Sequence, residues 1–155
     1  MTSIFLTIAI PTFNRCDYLS EQLDRLYPQI RDRNDVEILV CDNASHDRTR
    51  EIVESYQAKI SNLRYFCHEK NMGFDKNIYK AYENSLGKYI WFLADDDYVV
   101  YDAISLVESV LEKDRPQVLV MGSRQLGQSF TIDPLHQNAK FTEWSFPNAA
   151  EHFMA

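Results

Sequence analysis

The residues best suited to chemistry are Asp95, Asp96 and Asp97, three consecutive carboxylates that close the apolar run Tyr89-Ile90-Trp91-Phe92-Leu93-Ala94. A short apolar run of this kind reads as a buried strand. Neighbouring carboxylates repel one another, and a divalent cation, Mn2+ or Mg2+, relieves that repulsion by taking hard oxygen ligands. At the carboxyl end of a strand in an open α/β sheet, the cluster stands where ligands bind. Together these features read as a metal-diphosphate signature; an isolated acidic triplet would read as a solvated turn.

Three further polar segments each follow an apolar run, so a parallel sheet brings all of them to the same edge as the aspartates. The first is Pro11-Thr12-Phe13-Asn14-Arg15. Pro11 fixes the backbone and removes a donor, Thr12 and Asn14 can hydrogen-bond a ligand, and Arg15 can meet a phosphate. Taken alone, this segment reads equally well as a strand-to-helix turn with a surface arginine. The second segment opens with Asp42, whose carboxylate can accept from a nucleobase N–H or from ribose hydroxyls. Turn and capping duty accounts better for Asn43, Ser45 and Asp47. The third runs from His68 to Gly73, where Gly73 permits a positive φ or a close backbone approach. Lys76 and Asn77 then fall in the first turn of the next helix, and Lys76 can neutralise diphosphate charge there. A solvated helix-face lysine is the commoner outcome.

The elements that position these segments alternate. Ile4 to Ile10 reads as a buried parallel strand stopped by Pro11, and from Asp17 onward Tyr18, Leu19, Leu23, Leu26 and Ile30 recur at helical spacing. Val36 to Cys41 is a second apolar run, and Asp42-Asn43-Ala44-Ser45 supplies turn and N-cap chemistry for a helix through Ile52, Val53 and Tyr56. Leu63 to Cys67 is a third strand, Asp75 to Leu86 a helix, Tyr89 to Ala94 a fourth strand, Ile104 to Leu111 a helix and Val118 to Met121 a fifth strand. This rhythm predicts an α/β domain with a largely parallel sheet covered on both faces. From Gly122 the rhythm breaks, with Pro134, Pro147 and unphased aromatics, and the end at His152-Phe153-Met154-Ala155 has no capping element, as in a truncated chain.

Bulk properties narrow the function. The 155 residues suit one domain with a substantial core. A net charge of −7 argues against nonspecific nucleic-acid binding, which needs a basic face. The three cysteines, Cys16, Cys41 and Cys67, follow neither a disulfide nor a zinc spacing and suit a reducing cytoplasm. The first apolar stretch breaks at Pro11 before a signal peptide or membrane span forms, so any membrane association is expected to be peripheral or to lie outside this chain.

Taken together, Ile8-Ala9-Ile10-Pro11-Thr12-Phe13-Asn14-Arg15, Val40-Cys41-Asp42-Asn43-Ala44-Ser45 with Asp47, Asn71-Met72-Gly73 with Lys76-Asn77, and the run ending in Asp95-Asp96-Asp97 resemble family 2 of the inverting GT-A glycosyltransferases. The resemblance covers roughly the first 120 residues. It implies a GT-A, Rossmann-like fold with a mostly parallel sheet and helices on both faces. The corresponding division is a donor-binding core over residues 1–121 and the start of an acceptor-side region over 122–155. It also implies a nucleotide-diphosphate sugar donor, a glycan or lipid-linked acceptor, a divalent cation, and work in bacterial surface polysaccharide synthesis at the inner face of the membrane. Pro11, Thr12 and Arg15 would lie near the nucleotide, Asp42 at the base and Lys76 near the diphosphate, with Asn14, Asn71 and Gly73 also in the nucleotide-sugar site, Asp95 at the ribose, and Asp96 and Asp97 at the metal. The asparagine at position 43 and the run Phe74-Asp75-Lys76-Asn77 are similar to abequosyltransferase-like members.

The chain departs from the family pattern in two places. The family's metal motif often reads Asp-x-Asp-Asp, and its first position here is Ala94, which makes Asp96 the metal ligand, Asp95 a ribose or outer contact, and Asp97 a support for the loop. No Glu-Asp pair follows downstream, so no catalytic base is assigned; Glu143, Glu151 and Asp133 are the acidic residues to examine there. A dinucleotide-dependent oxidoreductase would need a GxGxxG turn after the first strand, and none of the four glycines stands there. An aspartyl-phosphate enzyme would need its aspartate where Pro11-Thr12 stands. The surviving alternative is a nucleotide-sugar-binding module without transfer activity, or a fragment of an enzyme.

Overall fold

The computed structural model describes residues 3–116 and 119. Within them the chain runs β1 (Leu6–Thr12), α1 (Cys16–Ile30), β2 (Val36–Asp42), α2 (Thr49–Gln57), β3 (Leu63–Cys67), α3 (Phe74–Asn84), β4 (Tyr89–Phe92) and α4 (Ala103–Asp114). The described strands form one sheet in the order β3-β2-β1-β4, and every pairing is parallel. Right-handed crossovers that step first one way and then back put their helices on opposite faces. Accordingly α3, which returns the chain from β3 to β4, packs on β1 and β2, where Ala81 meets Ala9, Leu39 and Cys41. The alternate side chains Ile8, Ile10, Ile38 and Val40 are fully buried on the other face, where α1 and α2 pack on one another. In α1 the buried residues Leu19, Leu23, Leu26 and Ile30 keep the helical spacing expected of them.

The structure shifts several expected boundaries. β1 does not stop at Pro11 but runs through it, with Pro11 opposite Cys41 and Thr12 opposite Asp42. In a parallel strand the N–H and C=O of one residue point to the same side, and Pro11 points toward β4, which has already ended at Phe92. The missing donor therefore costs no ladder bond. The helix after β2 begins at Thr49, beyond Asp42-Asn43-Ala44-Ser45, and it is Asp47 that receives the Thr49 N–H at 3.0 Å. β4 is shorter than expected and half-buried, with Phe92 43% exposed, and it is one of the two edge strands of the described sheet. The expected fifth strand, Val118 to Met121, lies outside the described residues.

A polar network closes the amino edge of the sheet. Thr7 Oγ1 donates to Glu37 Oε1 at 2.6 Å, Arg64 Nη1 reaches Glu37 Oε2 at 3.1 Å, and the Leu86 N–H donates to Glu37 Oε1 at 2.7 Å. Gly87 sits so close to β1 that a Cβ would lie 2.5 Å from the Thr7 nitrogen, so only glycine fits this turn.

Candidate functional site

The carboxyl edge is built from four loops tied in series by hydrogen bonds. β2 and β3 are added on one side of β1 and β4 on the other, so the strand order reverses at the gap between β1 and β4, the switch point where open α/β sheets take ligands. Across that gap Thr12 Oγ1 donates to Asp95 Oδ2 at 2.7 Å, and both residues are buried. Arg15 Nη1 then bridges Asp95 Oδ1 at 3.1 Å and Asp96 Oδ2 at 2.7 Å. The cationic partner of these aspartates thus stands 80 residues from Asp95 in sequence. The bond and charge of Asp95, and then those of Asp96, raise the Arg15 guanidinium above its ordinary value.

The first loop is braced on the second. Asn14 adopts φ 54°, a left-handed conformation that asparagine tolerates, and its side-chain oxygen accepts the His46 N–H at 2.8 Å while its own N–H donates to Ser45 Oγ at 2.8 Å. Asp47 Oδ2 accepts the Cys16 N–H at 2.9 Å and thereby satisfies the start of α1 from outside that helix. Burial pulls the Asp47 carboxyl up, but the bonds from Thr49 and Cys16 outweigh it and leave the group below its ordinary value. The second loop is braced on the third in turn: Asn43 Nδ2 donates to Asn71 Oδ1 at 3.0 Å, and Asn43 Oδ1 accepts the Met72 N–H at 2.8 Å.

Asp42 is buried and already engaged. Oδ1 accepts from the Ser45 N–H and hydroxyl at 2.9 and 2.6 Å, and Oδ2 accepts from the Tyr65 hydroxyl at 2.6 Å with the Cys67 thiol at 3.7 Å. Burial and the neighbouring Asp42 push the Tyr65 hydroxyl far above its ordinary value. Gly73 opens α3 at φ 85°, where a side chain would be strained even though there is open space around it. Asn77 is buried against β2, its Nδ2 donating to the Cys41 carbonyl at 2.9 Å, whereas Lys76 on the same first turn is exposed.

The structure therefore brings Thr12, Arg15, Asp95 and Asp96 together. It places Asn14, Asp42 and Asn71 in the bracing of the loops and leaves Asp97 and Lys76 on the surface. Residues that sequence reasoning passed over are Tyr65 and Gln22. Nothing local could have flagged Tyr65, whose partner lies 23 residues away. Gln22 carried a signal: it interrupts the apolar face of α1, and its Nε2 reaches the Ala94 carbonyl at 3.5 Å beside the aspartates.

The donor set constrains any metal. Among the described residues, no three acidic, histidine or cysteine side chains converge. Asp95 spends its oxygens on Thr12 and Arg15, while the Asp96 side chain is 46% exposed and engages Arg15 through Oδ2. Such a set suits a hard divalent ion that draws most of its ligands from a diphosphate and water, the usual habit of Mg2+ and its relatives.

An open parallel sheet whose polar loops gather at its switch point is an α/β architecture of the doubly wound kind. The sequence matches the glycosyl transferase family 2 over residues 7–154, and the chain belongs to that family. It is 29% identical over 110 residues to the abequosyltransferase RfbV of Salmonella typhimurium, covering 70% of this chain and 33% of the relative. The fold superposes on that of Staphylococcus aureus TarS in complex with UDP-GlcNAc, with a TM-score of 0.71 and 26% identity over 83% of this chain and 37% of that one. A mannosyltransferase from Pyrobaculum calidifontis, solved with GDP-Man and Mn2+, shares the fold at a TM-score of 0.60 and 22% identity, covering 68% of this chain and 32% of that one. The architecture is that of the GT-A glycosyltransferases. The chain spans about a third of the length of the abequosyltransferase relative.

Proposed function

We propose that the protein is the donor-binding part of an inverting glycosyltransferase that uses a nucleotide-diphosphate sugar, with a glycan or lipid-linked acceptor, in surface polysaccharide synthesis. The observation that carries this reading is the Thr12, Asp95, Arg15 and Asp96 constellation at the switch point. Residues 1–121 supply the donor side, and 122–155 begin the acceptor side. No helix among the described residues is long and apolar enough to cross a membrane. Work at the cytoplasmic face of a membrane, through peripheral contact, suits that reading.

In this reading Asp95, oriented by Thr12, accepts from the ribose hydroxyls, and Asp42 with its loop faces the base. Arg15 and Lys76 meet the diphosphate, with Asn14, Asn71 and Gly73 shaping the loops around it and Pro11 stiffening the first of them. Asp96, supported by Asp97, would hold Mn2+ or Mg2+, which supplies charge stabilisation to a nucleoside-diphosphate leaving group. A carboxylate base that deprotonates the acceptor hydroxyl completes in-line displacement at the anomeric carbon.

Calorimetry of uridine diphosphate binding in manganese and in chelator tests the reading. Binding is expected to be clearly tighter with manganese, and equal affinities would remove the divalent ion from the proposal.

A further inference from the structure

We propose that Arg15 is a resident counter-ion that holds the metal-side carboxylates until a divalent ion takes Asp96, after which its guanidinium turns to the diphosphate. This rests on the glycosyltransferase reading and adds a regulation of that site. A single nitrogen, Nη1, lies 3.1 Å from Asp95 and 2.7 Å from Asp96, so one positive group bridges two carboxylates as a metal ion would. Neither carboxylate is gripped by the bidentate fork that makes arginine pairs strong.

The two contacts differ in how readily they are released. Asp95 is buried and keeps the Thr12 hydroxyl when Arg15 leaves. Asp96 is half-exposed, as is the Arg15 side chain at 47%, and exposed ion pairs of this kind are weak enough to exchange. A doubly charged ion accompanied by a diphosphate therefore displaces the arginine from Asp96. The freed fork then has an anion to bind, for which its geometry is suited. Arg15 thus suppresses ion binding in the absence of nucleotide and couples the ion to the donor.

The test compares Mn2+ binding to the full 155-residue chain and to Arg15→Gln, by electron paramagnetic resonance of free Mn2+, with and without uridine diphosphate. Without nucleotide, Arg15→Gln is expected to bind Mn2+ roughly fivefold more tightly than the parent, the scale of one exposed ion pair. In saturating Mn2+ its affinity for uridine diphosphate is expected to fall. Arg15→Lys, which keeps the charge, should retain the parent's weak ion binding, and adding Asp96→Asn to Arg15→Gln should abolish the gain. Equal or weaker Mn2+ binding by Arg15→Gln, while the parent binds uridine diphosphate with manganese, overturns the displacement alone. No Mn2+ binding to either protein, even with nucleotide, overturns the displacement and the metal reading together.

Discussion

The two edges of the sheet use the same three kinds of residue to different ends. At the amino edge Thr7, Glu37 and Arg64 join a hydroxyl, a carboxylate and a guanidinium; at the carboxyl edge Thr12, Asp95 and Arg15 do the same. The central carboxylates are equally hidden, Glu37 at 2% and Asp95 at 6% side-chain exposure. What differs is what surrounds them. Glu37 also accepts a main-chain N–H from Leu86, and Gly87 seals the turn above it by donating to Thr7 Oγ1 at 2.8 Å. Asp95 is followed by the exposed Asp96 and Asp97, and its arginine is shared with Asp96. A closed network whose members all belong to the fold fixes strand register, and an open one with spare carboxylates can take a ligand.

Breaking the closed edge should give the largest effect on stability. Glu37→Ala removes the acceptor of Thr7, Leu86 and Arg64 at once, and stranded buried donors together with a broken pair are expected to cost about 3 kcal/mol. Urea unfolding measures the loss. Uridine diphosphate affinity, read under conditions where the variant is folded, should stay within a factor of about two, a change of roughly 0.4 kcal/mol. A large fall in affinity would mean that the edges are coupled through β1 and the contrast is false.

The open edge should respond in the opposite way. Asp95→Ala strands only the Thr12 hydroxyl, because Arg15 is half-exposed and keeps Asp96, so stability should drop by about 1 kcal/mol. Manganese-supported uridine diphosphate binding is expected to weaken roughly 10- to 100-fold, the scale seen when groups that orient a metal site are removed. Titration calorimetry with urea unfolding separates the two quantities. A variant that unfolds easily but binds normally would make Asp95 a second Glu37.

How much of this was legible in the sequence depended on the distance between partners. The apolar runs of β1, β2 and β3 and the spacing of Leu19, Leu23 and Leu26 fixed elements and order, because burial is written locally in residue type. The run ending in Asp95 marked the carboxylates as the end of a strand for the same reason. Glu37 was hidden inside a strand that otherwise reads as apolar, and the pairing of Arg15 with Asp95 spans 80 residues, so neither edge network could be read without the topology. The half-burial of β4 was also invisible, since Tyr89 to Phe92 carry the same residues whether a strand lies inside or outside. Asp42 combined both situations: its position at a strand end was legible, and its capture by Tyr65 was not.

Within the open edge, Asp96 and Asp97 should differ. Asp96 faces Arg15, whereas the Asp97 main chain turns back to the Ala94 carbonyl at 3.3 Å. Asp96→Asn is expected to reduce manganese-dependent uridine diphosphate affinity about tenfold, the lower end of the range for metal-site groups. Asp97→Asn should reduce it less. Calorimetry at matched manganese decides between them, and the reverse order would move the ion ligand by one position.

The smallest effect is expected at Asp42, where the comparison is sharpest because one residue combines both roles. Ser45 and Tyr65 hold its carboxylate as firmly as Glu37 is held, yet it stands on the open edge with one weak contact, the Cys67 thiol at 3.7 Å. A nucleobase N–H can replace that thiol without disturbing Ser45, and so gain a charge-assisted bond. Asp42→Asn keeps an acceptor for Ser45 but offers a neutral amide to the base. Its effect should be a narrowing, by roughly threefold or about 0.6 kcal/mol, of the preference among uridine, cytidine, guanosine and thymidine diphosphates. Competition binding of the four nucleotides measures it. An unchanged ranking with lowered stability would place Asp42 with Glu37, as a residue that shapes its loop and does not read the ligand.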